Sequence, residues 1–283
     1  MKRSRTALFP VFVAAFALAA FAQTPTLQKR TITKTDKFDF GAGGTVAITG
    51  APKGSIRVSG TAKNEIEITA EIEIQAANDT DLAKLAEVTG FVTDEGVART
   101  GIISIGSNNK FGQKKLPKNF PKDLLELPFS INYVINVPHY CDLEIDGGKG
   151  DLAIIGVEGS MRINYLETNA KIEIMGGNIN VTIGNGTADV AFGVNGWRGR
   201  SANIQVATGI LNVRLPSNLS AEVDAAILRS GKIENTLVDL KPRDRKVPFT
   251  EKSIIAKAGV GGVPLKFTVG EGTLKLSQLK LPL

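Results

Sequence analysis

Four groups of residues in this chain carry side chains that could do chemistry. In His139-Tyr140-Cys141 an extended backbone puts an imidazole and a thiol on the same side, which would suit a nucleophile with its base or two metal ligands. Two ligands do not close a zinc site, and the chain holds one histidine and one cysteine in all. Cys141 therefore reads as a small core residue, and His139, following Pro138 at a strand boundary, as a surface one. A serine triad would need this same histidine, and the chain has no Gly-x-Ser-x-Gly elbow.

The second group is Glu65, Glu67, Glu71 and Glu73, four carboxylates alternating with Ile66, Ile68, Ala70, Ile72 and Ile74. A row of acids could hold a cation or move a proton. Residues two apart on a strand are roughly 7 Å from one another, so the row reads instead as a solvated face compensated by bases on a neighbouring strand. The third group is Trp197 with Arg198 and Arg200, on a loop between strands and containing the only tryptophan. An exposed indole beside guanidinium groups can stack on a sugar ring or bind a carboxylated glycan; alternatively, Trp197 folds back over the edge of the sheet as a lid. The fourth is a basic run, Lys110, Lys114, Lys115, Lys118 and Lys122, interleaved with Phe111 and Phe120. It suits an acidic polymer or a lipid headgroup surface, or else a solvated excursion with its phenylalanines tucked against the body.

Some cofactor and metal motifs are imitated and not completed. Asp142 to Ala153 begins like an EF-hand but has Ala153 where a bidentate glutamate is needed. Gly147 to Asp151 nearly matches a calcium-binding nonapeptide, with its acid one place early and no tandem copy. Gly148 to Ala153 matches a loose dinucleotide fingerprint, but no helix follows it to face a phosphate. No cofactor and no metal are expected.

The elements that must position these groups are strands. From Leu143 to Arg214 short apolar/polar alternations recur about every nine residues, with Gly, Asn or Asp between them, which is the period of half-buried strands and turns. Earlier strands are expected over 31–40, on either side of the Gly50–Gly54 turn, over Glu65–Gln75, 91–94 and 97–105; later ones over 253–258, 264–269 and 273–277. Asp79 to Thr89 is the single expected helix, capped by Asp79 or Thr80 and ended by Gly90. One nine-residue unit cannot bury its own apolar face, so such units must stack on a shared aliphatic interior and be capped at both ends. The N-terminal strands with the helix and the three C-terminal strands are the expected caps.

Asn132-Tyr133-Val134-Ile135-Asn136-Val137-Pro138, Gly150-Asp151-Leu152-Ala153-Ile154, Gly177-Asn178-Ile179-Asn180-Val181, Gly209 to Pro216, and Ser220-Ala221-Glu222-Val223 with Ser230-Gly231-Lys232-Ile233 form a recurring pattern. In these segments the chain, from about Gly43 to Gln278, resembles the bacterial putative-adhesin domains of unknown function, similar to autotransporter heads. The resemblance implies an all-β, β-solenoid or β-helix-like stack on an exported protein of bacterial origin, with a β-sandwich as the alternative. It carries over no catalytic residue.

The N-terminus predicts export. Lys2, Arg3 and Arg5 precede an apolar stretch from Ala7 to Ala20, and Ala20-Phe21-Ala22 offers a small-x-small cleavage site. The expected organisation is a signal peptide over 1–22 and a single elongated domain over 23–283 with a basic loop insertion at 106–128. No membrane span is expected after cleavage. The formal net charge of +6 loses the three cations of the leader, leaving 6 − 3 = +3, too mild and dispersed for nucleic acid. Together these features predict a non-enzymatic, adhesin-like binding or structural module of the cell envelope, facing a polysaccharide or a surface protein. The alternatives are a polysaccharide-active enzyme on a β-helix and an assembly component that binds a protein by strand addition.

Overall fold

The computed structural model describes residues 27–107, 116–193 and 197–280. The expected signal peptide lies outside them, as do Lys110, Lys114 and Lys115. Within them the chain is all-β with one α-helix. In chain order the strands are β1 (Gln28–Asp39), β2 (Thr45–Thr49), β3 (Ile56–Thr61) and β4 (Glu65–Ala76), then α1 (Asp79–Val88), β5 (Gly90–Glu95) and β6 (Arg99–Ile105). After a single 3-10 turn at Lys122–Leu124 come β7 (Phe129–Pro138), β8 (Asp142–Lys149), β9 (Leu152–Ile155), β10 (Met161–Ile174), β11 (Gly176–Phe192) and β12 (Arg198–Leu215). The remainder is β13 (Ala221–Ile227), β14 (Gly231–Asn235), β15 (Lys241–Pro242), β16 (Ser253–Ala258) and β17 (Val263–Gln278).

The long strands are the key to the arrangement. Each of β10, β11, β12 and β17 joins two of the short alternations into one rung that bends at a corner. Rungs lie parallel on one another: Leu143, Met161 and Ile179 stand side by side, 18 residues apart each time, and Leu152, Ala170 and Ala188 do the same in the second half. Inward-facing residues of both halves, among them Ile145, Ile163, Val181, Ile204 and Phe267 from the first and Ile154, Ile172, Val190, Val213 and Leu276 from the second, belong to a single buried cluster. Aliphatic side chains repeated at the rung spacing fill that interior layer by layer, each contributing about 1.5–3 kcal/mol on burial. This is why the chain can be so poor in aromatics.

The order of rungs in space differs from the order in the chain. β2 and β3 lie parallel beside β8 and β9 on one flank and beside β6 and β7 on the other. At the far end β17 is inserted between β12 and the pair β13 and β14. Thus Pro264–Val269 and Thr273–Ser277 are one bent strand inside the pile and not a cap, and β2 and β3 are likewise internal. Capping falls to antiparallel strands: β4 on β7 with β1 outside it, β5 on β6, and β16 on β13 with β15 outside it.

Glycine explains the corner between the two halves of a rung. Gly54, Gly150, Gly186, Gly209, Gly272 and Gly231 fall in register at this bend, all with positive φ. At Gly209 φ is +135°, and a side chain would fall on the carbonyl oxygen of Gly186 in the adjacent rung. No L side chain satisfies both demands. Thr168 holds the equivalent place in β10, 4 % exposed, with its hydroxyl oxygen buried and without a partner.

Helix α1 packs on β4 and β1 through Leu82, Leu85 and Val88. Its cap is Asn78, one residue before the expected Asp79 or Thr80: Asp81 donates its backbone N–H to Asn78 Oδ1 at 2.9 Å, while Asn78 donates to the Asp81 carboxylate at 2.8 Å. Among the described residues no helix is long and apolar enough to cross a membrane.

Candidate binding surface

The glutamate row is engaged as a strand face. Ile66, Ile68, Ala70, Ile72 and Ile74 are buried, and on the other side Glu65, Glu67 and Glu73 meet lysines from β1 and the β3–β4 turn while Glu71, opposite Thr33, is exposed. Lys37 lies 2.9 Å from Glu65 and 3.0 Å from Glu67; Lys63 reaches both, at 3.0 and 3.4 Å; Lys29 lies 3.1 Å from Glu73. The hydrogen bond from Lys37, with a second from Asn136, holds the Glu67 carboxyl down at about 2, and Lys37 and Lys63 also lower that of Glu65. Both acids remain carboxylates across the physiological range, in contact with water, and serve as acceptors in a latch between strands.

His139 and Cys141 do not form a reactive pair. Cys141 is 1 % exposed and burial pushes its thiol up to about 12, where the nucleophilic thiolate is scarce at neutral pH. The His139 ring binds the backbone carbonyl of Gly156 through Nδ1 at 2.8 Å, tying one return turn to the next. Among the described residues no three of His, Cys, Asp and Glu are grouped to hold a metal ion.

The sugar-stacking candidate sits at the edge where one rung returns to the next. Arg198 is opposite Gly176 at the start of β12, and the register slips by one between Gly177 and Asn178, so that Arg200 is the extra residue of a bulge. Bulges re-aim side chains, and both arginines are exposed. Arg198 reaches Glu158 of the neighbouring return turn at 3.5 Å while its side chain stays 70 % exposed. Trp197 turns inward. Its ring lies 5.0 Å from the buried ring of Phe192 at 60° and covers Gly199, and its indole nitrogen is buried without a partner. This is the lid geometry, with two cations outside a half-buried indole.

Lys118 belongs to a different edge. Its loop connects β6 to β7 on the corner side of the pile, and folds onto the core through buried Leu124 and half-buried Phe120 and Leu127; Ser107 donates to the Leu124 carbonyl at 3.2 Å. Lys118 and Lys122 stay in solvent. The structure therefore joins Trp197 with Arg198 and Arg200, and separates them from Lys118 by the width of the rung. The inward turn of Trp197 had one sequence signal: Phe192, five residues earlier and also at a strand end, offers the aromatic partner such a lid requires.

No protein-family model matches the chain, and no curated protein does. Among solved structures it is similar, at 13% identity and a TM-score of 0.47, to a "putative cell adhesion protein" from Clostridium sporogenes, over 88% of this chain and 100% of that one. A "putative adhesin" from Bacteroides fragilis gives 10% identity and 0.33 over 88% and 97%. A "putative lipid binding protein" from Parabacteroides distasonis gives 9% and 0.23 over the same shares. All three scores fall below 0.5, and the functional reading rests on this chain's own geometry.

Proposed function

We propose that the chain is an exported, non-enzymatic, adhesin-like binding or structural module of the bacterial cell envelope, and that its stacked rungs form a β-solenoid-like rod. The 18-residue parallel register supports the rod, and the n-region, apolar stretch and Ala20-Phe21-Ala22 support export. One observation carries the binding reading: Trp197, Arg198 and Arg200 are presented together on a return edge, where Arg198 and the bulge residue Arg200 are both exposed beside a half-buried indole. Such a group suits a carboxylated or sulfated glycan, the guanidinium forks taking the anion and the indole edge taking the ring. Glu65, Glu67, Glu73 and Glu144 all sit in ion pairs along strand faces, and a glycosidase needs two acids facing one another across a groove.

The test uses the chain from Gln23 onward against a panel of envelope and extracellular polysaccharides. Trp197 emission reports binding, and released sugar ends are followed in the same wells. The expected result is a saturable shift with anionic glycans, lost in Arg198→Ala with Arg200→Ala, and no product. Product release sinks the non-enzymatic reading.

Strand addition stays in view for one reason. β1 pairs along its whole length with β4 on one side, and among the described residues its other edge has no partner strand. Its lysines and arginine are the charges that keep such an edge from pairing indiscriminately.

A further inference from the structure

The last rungs leave a cleft that the glycan reading does not use. It has a volume of about 340 Å³ and lies on the return edge, where the turn after β12, the segment between β14 and β15, and the end of β16 meet beside the end of β17. It exists because the chain leaves β14 without laying down another full rung, and Leu237 to Lys241 must cross the open end of the core. The floor is apolar: Leu215, Leu219 and Leu240 are at most 9 % exposed, and Leu237 packs half-buried against the same cluster. The mouth is polar except for Val238, which is 89 % exposed.

Charge at the mouth is uneven. Lys241 lines it, and Lys257 stands directly opposite Lys241 in the antiparallel pair of β15 and β16. Among the described residues neither lysine has an ion-pair partner, whereas Arg243 next to them is held by Glu222 and Asp224. Asp239 and Lys241 are the charges of the lining itself, and Lys257 adds a second unpaired ammonium beside the cleft, its stem packed over Gly261. The volume falls at the lower end of the roughly 300–1,000 Å³ of small-molecule sites, and a leucine floor under a basic rim divides a ligand into two parts.

We propose that this cleft binds a single-chain amphiphile with an anionic head, its hydrocarbon over Leu215, Leu219, Leu237 and Leu240 and its head at Lys241 and Lys257. The cleft lies on the same return edge as Trp197 but shares none of its residues, Trp197, Arg198 and Arg200 being absent from its lining, so failure of either leaves the other standing. The test is calorimetric titration of the chain from Gln23 onward with laurate, dodecyl phosphate and dodecanol, each below its micelle concentration. Laurate or dodecyl phosphate should bind saturably at one site, and a preference between them identifies the head as carboxylate or phosphate. Dodecanol should bind at least about tenfold more weakly, the share of a charge-assisted contact. Lys241→Gln with Lys257→Gln, both exposed, should remove that preference without lowering Tm, and Leu237→Gln should weaken all three ligands. No saturable binding by either anionic chain overturns the proposal. So does dodecanol binding as tightly as laurate, or anionic binding that is unchanged in both variants.

Discussion

The centre of the pile and its N-terminal end are held by different physics. In the centre, β8 to β12 and β17 are parallel rungs whose inward positions are predominantly aliphatic and whose corners, apart from Thr168 in β10, carry a glycine at positive φ. At the N-terminal end β1 and β4 are antiparallel, and the outer strand is fixed on its solvent side by Lys29 and Lys37 on glutamates of β4. Parallel stacking tolerates no misfit, because each rung is the template for the next. The antiparallel end is a local pairing whose charges water can replace. The centre should therefore respond to single steric changes and ignore pH, and the end should do the reverse.

The largest effect is expected at the corner. Gly209→Val places a branched side chain at φ +135° against the Gly186 carbonyl, and should cost about 4 kcal/mol or more, seen as loss of the cooperative transition in urea. Gly43→Ala, also at positive φ (+85°) but with nothing within 4 Å, should cost only about 1–2 kcal/mol. Equal costs would mean that the corner is not a steric template.

Next comes the core. Ile204→Ala removes a fully buried side chain between rungs and should cost about 2–5 kcal/mol by denaturant unfolding. A smaller effect of opposite sign is expected at Thr168, whose buried hydroxyl oxygen has no partner. Thr168→Val keeps the shape and removes the unmet polar group, so stability should rise by up to about 1 kcal/mol; a fall would reveal a hydrogen bond to that hydroxyl.

The smallest effect is confined to the end. The carboxyls of Glu65 and Glu67 are lowered on folding, that of Glu67 to about 2 from the usual 4.5, chiefly by hydrogen bonds from Lys37. A depressed folded value means stabilisation that is present above the unfolded value and lost as pH falls through the folded one. The latch should thus loosen between about pH 5 and pH 2, and in high salt, which screens exposed pairs. Glu67→Gln should abolish most of that pH response while leaving the centre untouched.

Much of this contrast can be read from residue order. Alternation marks β2, β3, β4 and β16 nearly to the residue, since a half-buried strand must alternate whatever it pairs with. The compensation of Glu65, Glu67 and Glu73 by bases on the next strand follows from the same logic. What the chain order hides is pairing at a distance. Nothing in Thr45–Thr61 says that it lies beside 142–155, nor in 263–278 that it slips between β12 and β13, because aliphatic rungs of equal length are interchangeable by pattern alone. Two nine-residue units also look like two strands, and only the register shows them as one bent rung. Asn78 was missed as the cap because Asp79 and Thr80 are equally good capping residues and the first turn's hydrogen bond decides among them. The group at Trp197 was visible as residue types, and the lid was one of two readings open for its ring, which the packing on Phe192 at the closed return edge decides.

Amide hydrogen exchange at pH 7 and at pH 3, followed strand by strand, tests the difference between the two regions most directly. Falling pH should strip protection from β1 and the outer edge of β4 while β10, β11 and β12 keep theirs relative to the intrinsic rate. Uniform loss of protection across all of these strands would contradict the account, because it would make the charged end and the stacked centre one cooperative unit.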